Sequence, residues 1–208
     1  MENKMMKKTI LAVALAASMV SGCSMIPGNE AHSYAELQAE GQALLLASNE
    51  EGYSASGIQD LEKIRLGVNS VFLIAEPIYE RYTETLMNTT ELGQFMAATE
   101  AADSEENKKA VYDNLTPEAK AKVDDFLNSS MAKEIMAGLG DVVPVLLKNS
   151  AVFLEVNSAS ILTQVDFGDL KAEKDRFAHT YDQLAYLDTT LVSAYKNYQV
   201  VSAFSTAE

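Results

Sequence analysis

The chain of 208 residues has no tryptophan, one cysteine, two histidines and four prolines, and only 16 lysines and arginines against 30 acids. Each shortage removes something. A lone cysteine, Cys23, cannot close an internal disulfide, so no disulfide framework staples the fold. Two histidines, His32 and His179, are too few for a His-rich zinc site. Ten glycines and four prolines leave long stretches free of helix breakers, which reads as a helix-rich chain. The formal charge of −14 repels nucleic acid and anionic headgroups alike. Two readings of that acid load stay open: it keeps the protein soluble, or it meets a partner with a basic face.

What is present begins at the N-terminus. Lys4, Lys7 and Lys8 precede an uncharged apolar run from Ile10 to Val20. That run is too short to span a bilayer as a helix and has the build of a secretory signal. It ends in Val20-Ser21-Gly22-Cys23: an aliphatic residue, two small ones, then cysteine. The pattern resembles the lipobox of bacterial lipoproteins, a resemblance confined to roughly the first tenth of the chain. It implies cleavage between Gly22 and Cys23, diacylglycerol on the Cys23 thiol and an acyl chain on the new amine. Several acyl chains together anchor stably where one alone does not. In enterobacterial lipoproteins an aspartate after the cysteine favours the inner membrane. Ser24 lacks that mark and implies the outer membrane facing the periplasm, with the inner membrane as the alternative.

On this reading residues 1–22 are a cleaved signal peptide, 23–32 a lipidated N-terminus and short tether, and 33–208 one α-helical domain. Cleavage removes three of the 16 bases and one of the 30 acids, leaving 13 and 29, a formal charge of −16. The tether contains Pro27-Gly28-Asn29, lacks an apolar period, and reaches about 35 Å at full stretch.

Ser33 and Glu36 are spaced as a capping box, predicting a helix from Tyr34 to about Ala47. Ser56 to Gln59 repeats that logic and opens a helix to about Leu86, with Leu61, Ile64, Val68, Phe72, Tyr79 and Tyr82 inward. Leu66, Leu73 and Ile74 widen its apolar face, so burial on more than one side is expected, and Pro77 should kink or split it. Shorter helices are expected near 91–101, 104–114 and 117–128, capped by Asn88, Asp103 and Thr116. Few large apolar residues fall there, which reads as a more exposed region. After Gly138-Leu139-Gly140, Asp141 is expected to cap a central helix over about 142–163. Its two charges, Lys148 and Glu155, argue against a membrane span. Asn149-Ser150-Ala151 and Asn157-Ser158-Ala159 place small residues where another helix can approach. Asp166 to Asp169 breaks that helix, and the last runs uninterrupted from Leu170 to about Phe204. The expected architecture is an all-α bundle of about five to seven helices with two or three long core helices.

The sequence offers no catalytic, cofactor or metal-binding set. A lipidated Cys23 leaves no Cys–His nucleophile. Gly52 to Gly57 misses the G-x-S-x-G spacing by one residue. Di-iron bundles need Glu three residues before each histidine, and here those positions hold Asn29 and Arg176. Asp103, Glu105 and Glu106 lack the spacing of a calcium loop, and Gly138-x-Gly140 is too weak for a phosphate site. Asp166-Phe167-Gly168 stands without other kinase signatures. His179 shares a helical face with Asp175 and Asp182, either as a pH sensor or as a surface histidine among acids. Tyr79, Tyr82, Tyr181, Tyr195 and Tyr198 line an apolar groove or belong to the core. The function expected is that of a non-enzymatic, membrane-anchored envelope lipoprotein, an accessory or adaptor in an envelope assembly. Its expected partners are the bilayer, through acylated Cys23, and an envelope protein. The alternative is a periplasm-facing carrier of a lipid or other apolar ligand between helices.

Overall fold

The computed structural model describes residues 25–26, 32–49, 52–155 and 168–205. The Val20-Ser21-Gly22-Cys23 motif, tether residues 27–31, the second Asn-Ser-Ala at 157–159 and Asp166-Phe167 lie outside the described residues. The fold is an all-α bundle. Its helices are α1 (Tyr34–Ser48), α2 (Gln59–Asn88), α3 (Thr90–Glu100), α4 (Glu105–Asp113), α5 (Pro117–Asn128), α6 (Ser130–Glu155), α7 (Leu170–Leu187) and α8 (Ser193–Ser205). A π-helical turn, Asp188–Val192, joins α7 to α8 in one rod. Two short strands precede α1: β1 (Met25–Ile26) pairs antiparallel with β2 (His32–Ser33), and β1 packs on α3.

Local chemistry explains several helix starts. Ser33 Oγ accepts from the Glu36 amide at 3.2 Å, and Glu36 Oε2 accepts from the Ser33 amide at 2.7 Å. That reciprocal pair satisfies two donors α1 would otherwise leave unmade. Thr116 accepts from the Ala119 amide ahead of Pro117, which needs no donor at the first helical position. Elsewhere the starts shift. The cap of α4 is Ser104, one residue after the expected Asp103, and Asp103 instead accepts from the Asn107 side chain. Asn88 ends α2 and does not begin α3. Ser56 is no N-cap either: its hydroxyl donates to Glu173 and accepts from the Ile58 amide two residues on.

The bundle has two halves. α1, α2, α6 and α7 form one, α3, α4, α5 and α8 the other, and one apolar cluster runs through both. Phe95, Met96, Val111, Tyr112, Val123, Phe126 and Leu127 are all buried. α3 and the inward faces of α4 and α5 thus join the core, while most residues between 101 and 130 are exposed, as the sparse large apolar residues there lead one to expect.

The long helices depart from expectation in places. α2 is buried on more than one side, against α1, α6 and α7, but Leu66, Leu73 and Ile74, at 46%, 37% and 59% exposure, lie on the side these leave open. Of the kink or split expected at Pro77, the split does not occur: α2 continues through the proline, which sits on the exposed face. The Gly138–Gly140 pair does not end a helix, and Asp141 caps nothing: α6 runs from Ser130 through both glycines and Pro144 to Glu155. A β-carbon at Gly138 would sit 3.1 Å from Ile78, and one at Gly140 3.2 Å from the Tyr195 hydroxyl. These glycines are contact points, and packing outweighs their helix penalty of about 1 kcal/mol each. Val145 and Leu147 are exposed, so α6 is covered on one side and not surrounded. Asn149 abuts Gly67, so the small-residue approach expected there takes place against α2.

Candidate functional site

The densest chemistry lies in the seam where α1 and the 52–58 loop meet α2 and α7. At its lower end Arg65 is buried to 2% exposure. Its guanidinium donates to the Ser54 carbonyl at 3.0 Å, to Glu62 Oε2 at 3.1 Å and to Thr180 Oγ1 at 3.2 Å, and lies over the Tyr53 ring. Beside it, the buried Glu173 accepts from Ser56 Oγ at 2.6 Å, the Gly57 amide at 2.9 Å and Arg176 at 2.7 Å. Burial opposes ionisation of Glu173, but these donors and the Arg176 charge outweigh it and hold the carboxyl below its ordinary range. The loop is riveted to both helices.

One helical turn further, Gln183 donates to Ser48 Oγ and to Asn69 Oδ1, both at 2.8 Å, and Asn69 donates to the Ser48 carbonyl at 3.0 Å. His179 Nε2 lies 3.2 Å from Ser48 Oγ. This brings a serine and a histidine together, 131 residues apart in the chain. The pair is not a nucleophile with its base. Ser48 is buried, and its hydroxyl proton is committed to the Leu44 carbonyl at 2.5 Å. Burial, and next the Arg65 charge, push the His179 pKa down against the opposing pull of Asp182. A neutral His179 therefore donates from Nε2 to Ser48. Asp175 and Asp182, which the sequence placed beside it, are both exposed.

The upper part of the seam differs. Glu76 is 1% exposed, and its Oε2 has no hydrogen-bond partner; neither has the Tyr186 hydroxyl beside it. Burial, and next the Glu80 charge, push Glu76 up to about 7. Further along, Tyr82 Oη is likewise buried without a partner, and Tyr34 Oη and Glu100, buried side by side, have only each other. Burial pushes Glu100 up to about 8, with Lys108 and the Tyr34 hydroxyl pulling the other way. The Tyr79 ring bridges the two groups, 6.2 Å from Tyr186 and 5.9 Å from Tyr82.

Of the tyrosines read as groove or core, Tyr79, Tyr82 and Tyr198 are buried in the core and Tyr181 is exposed. Tyr195 and Tyr198 line an open surface groove of about 520 Å³ between α6 and α8, with Lys133, Met136, Ala137, Gln199 and Ser202. Tyr198 donates to the Leu127 carbonyl, which fixes that wall. Among the described residues no three His, Cys, Asp or Glu side chains group closely enough to hold a metal ion. No helix among them is long and apolar enough to cross a membrane. Gly22 and Cys23, the expected cleavage and lipidation residues, lie outside the described residues.

Sequence reasoning missed Arg65, Asn69, Glu76, Glu100, Glu173 and Gln183. For three of them a signal exists. Arg65, Asn69 and Glu76 interrupt the inward stripe of α2 between Leu61 and Tyr79, where charged and amide side chains are uncommon unless partnered. Comparison with known proteins adds no identity: no sequence family, no curated protein and no solved structure matches this chain.

Proposed function

We propose that this protein is a non-enzymatic lipoprotein of the bacterial envelope, anchored through acylated Cys23 and acting as an accessory or adaptor in an envelope assembly. The observation that carries the proposal is Val20-Ser21-Gly22-Cys23 at the end of a charged-then-apolar leader. Two structural facts support it. Only Ser24 separates Cys23 from β1, which packs on α3, so an anchor at Cys23 would hold the bundle close to its bilayer. Leu66, Leu73 and Ile74 on α2 and Val145 on α6 are exposed apolar side chains that a protein partner can bury. α1 carries Glu36 and Glu40 and no base, and the chain is acidic as a whole, which favours a partner with basic residues. Anchoring raises local concentration near such a partner without any new contact. Ser24 favours the outer membrane facing the periplasm.

Metabolic labelling with palmitate tests the anchor. The native chain should label and sediment with membranes, and Cys23→Ser should do neither; a membrane-bound, unlabelled chain would overturn the proposal. Crosslinking from intact envelopes tests the adaptor role, which fails if no envelope protein is captured by the native chain and lost with Leu73→Asp. A second reading, carriage of an apolar ligand, rests on the α6–α8 groove with Met136, Tyr195 and Tyr198. It requires that a photoactivatable fatty acid label those residues, and absence of such labelling ends it.

A further inference from the structure

We propose that α1 is a proton-held strap: its N-terminal two-thirds lies on the bundle while Glu76 and Glu100 carry protons, and lifts about a pivot at Ser48 when they lose them. This inference stands whether or not Cys23 is acylated.

Polar groups beneath α1 set its hold on the bundle. Along its length it meets the bundle at three polar places: Tyr34 beside Glu100, Gly41 over Glu76, and Ser48 in the amide cluster. Among the described residues, Tyr82, Glu76 and Tyr186 there each have a buried oxygen without a partner, and Glu100 has no donor but the Tyr34 hydroxyl. The third is fully paired.

The charges acting on this place are themselves acidic: Glu80 from α2 acts on Glu76, and Glu76, Glu40 from α1 and Glu80 act on the Tyr186 hydroxyl that α7 places beside it. Gln42 from α1 does not relieve this, because its amide donates to Glu80 at 2.7 Å. Around Glu100 stand Tyr34 from α1, Tyr79 and Tyr82 from α2, and Lys108 from α4. Lys108 is itself drawn to Asn197 Oδ1 at 2.5 Å, so it offsets the Glu100 charge without neutralising it. A carboxylate formed at either place has lost its water and gained little in exchange.

Relief would require water, and beneath Gly41 the geometry leaves none room. A β-carbon at Gly41 would overlap the Tyr186 hydroxyl and sit 2.9 Å from Glu76 Oε1. With less than a methyl group's space between α1 and Glu76, ionisation can be solvated only if α1 moves. The far end has no reason to follow. Ser48, Asn69 and Gln183 do not titrate, and His179, whose neighbours are Arg65 and Asp182, becomes only more surely neutral as pH rises. The strap therefore opens from the β2 end and pivots at Ser48.

Amide hydrogen exchange on the full chain, between about pH 6 and about pH 9 and corrected for base catalysis, tests this. Protection over residues 36–44 should fall about tenfold or more relative to α5, while α2 and α5 keep step with each other. The double variant Glu76→Gln, Glu100→Gln should hold that protection constant. Equal protection of α1 and α5 across the range overturns the proposal, as does a loss spread evenly over all helices. The wild-type profile decides the matter alone if the double variant fails to fold.

Discussion

Arg65 and Glu76 lie about three turns apart on α2, both buried and both ionisable, and they differ in every partner. Arg65 meets two side chains, a carbonyl and a ring; Glu76 has an unpartnered oxygen and feels the like charge of Glu80. The contrast teaches that burial alone does not say whether a charge tightens a fold. A satisfied cluster such as that around Arg65 and Glu173 fixes one geometry, and losing one member strands the others. An unsatisfied one such as that around Glu76 holds only in its neutral form.

The two regions consequently respond to pH with opposite sign. Glu173 is held below the ordinary carboxylate range, so its contribution is present above that range and lost as acid protonates it. His179, also lowered, adds to the loss in acid, because the unfolded chain takes its proton first. Glu76 and Glu100 are raised, so their contribution is complete below the ordinary carboxylate range. It is lost as pH climbs through about 7 for one and about 8 for the other.

The largest expected effect breaks the satisfied side. Arg65→Ala should lower unfolding free energy in urea by roughly 3–5 kcal/mol, because it leaves Glu62 and the Ser54 carbonyl without their cation. A loss below about 1 kcal/mol would mean the cluster is not a unit. Next, Glu76→Gln should do little near pH 5 and stabilise by on the order of 3 kcal/mol near pH 8, read from thermal or urea midpoints at the two values. If the variant and the native chain keep the same pH profile, Glu76 ionises without penalty and the contrast dissolves. Gly41→Ala gains about 1 kcal/mol of helix propensity but drives a methyl into Tyr186 and Glu76, an overpacking cost of about 1–3 kcal/mol. A net loss of about 1 kcal/mol is expected, and a gain would show slack beneath α1. Smallest, Ser33→Ala removes the α1 capping box for about 1 kcal/mol, independent of pH across the range where Glu76 titrates.

Much of the fold was legible because local rules act at short range. Ser33 with Glu36, and Thr116 with Pro117, announce helix starts through contacts three residues apart. The apolar stripe of α2 announces its inward face. Misreadings came where tertiary contact overrode propensity. Gly138 and Gly140 resemble a break until Ile78 and Tyr195 are seen pressed against them. Leu66, Leu73 and Ile74 look like core until the neighbours of α2 are counted, since periodicity gives a face and not its cover. In the seam, Arg65, Asn69 and Glu76 stand out as polar intrusions on an inward face. Glu173, Gln183 and Tyr186 do not, because their roles are set by residues more than 100 positions earlier.

The π turn at Asp188–Val192 has a consequence for insertions and deletions. Such a turn is equivalent to one residue added to an α-helix, rotating everything beyond it by about 100°. Ahead of it, Thr180 and Gln183 address α2 and the end of α1; beyond it, Asn197 bonds Thr99 and Tyr198 bonds Leu127. Deleting one residue within 188–192 would leave each half of the rod intact and break their phase. Asn197 and Tyr198 would turn away from α3 and α5. The last rod works as two splines cut at different angles on one shaft, and the added residue sets the angle.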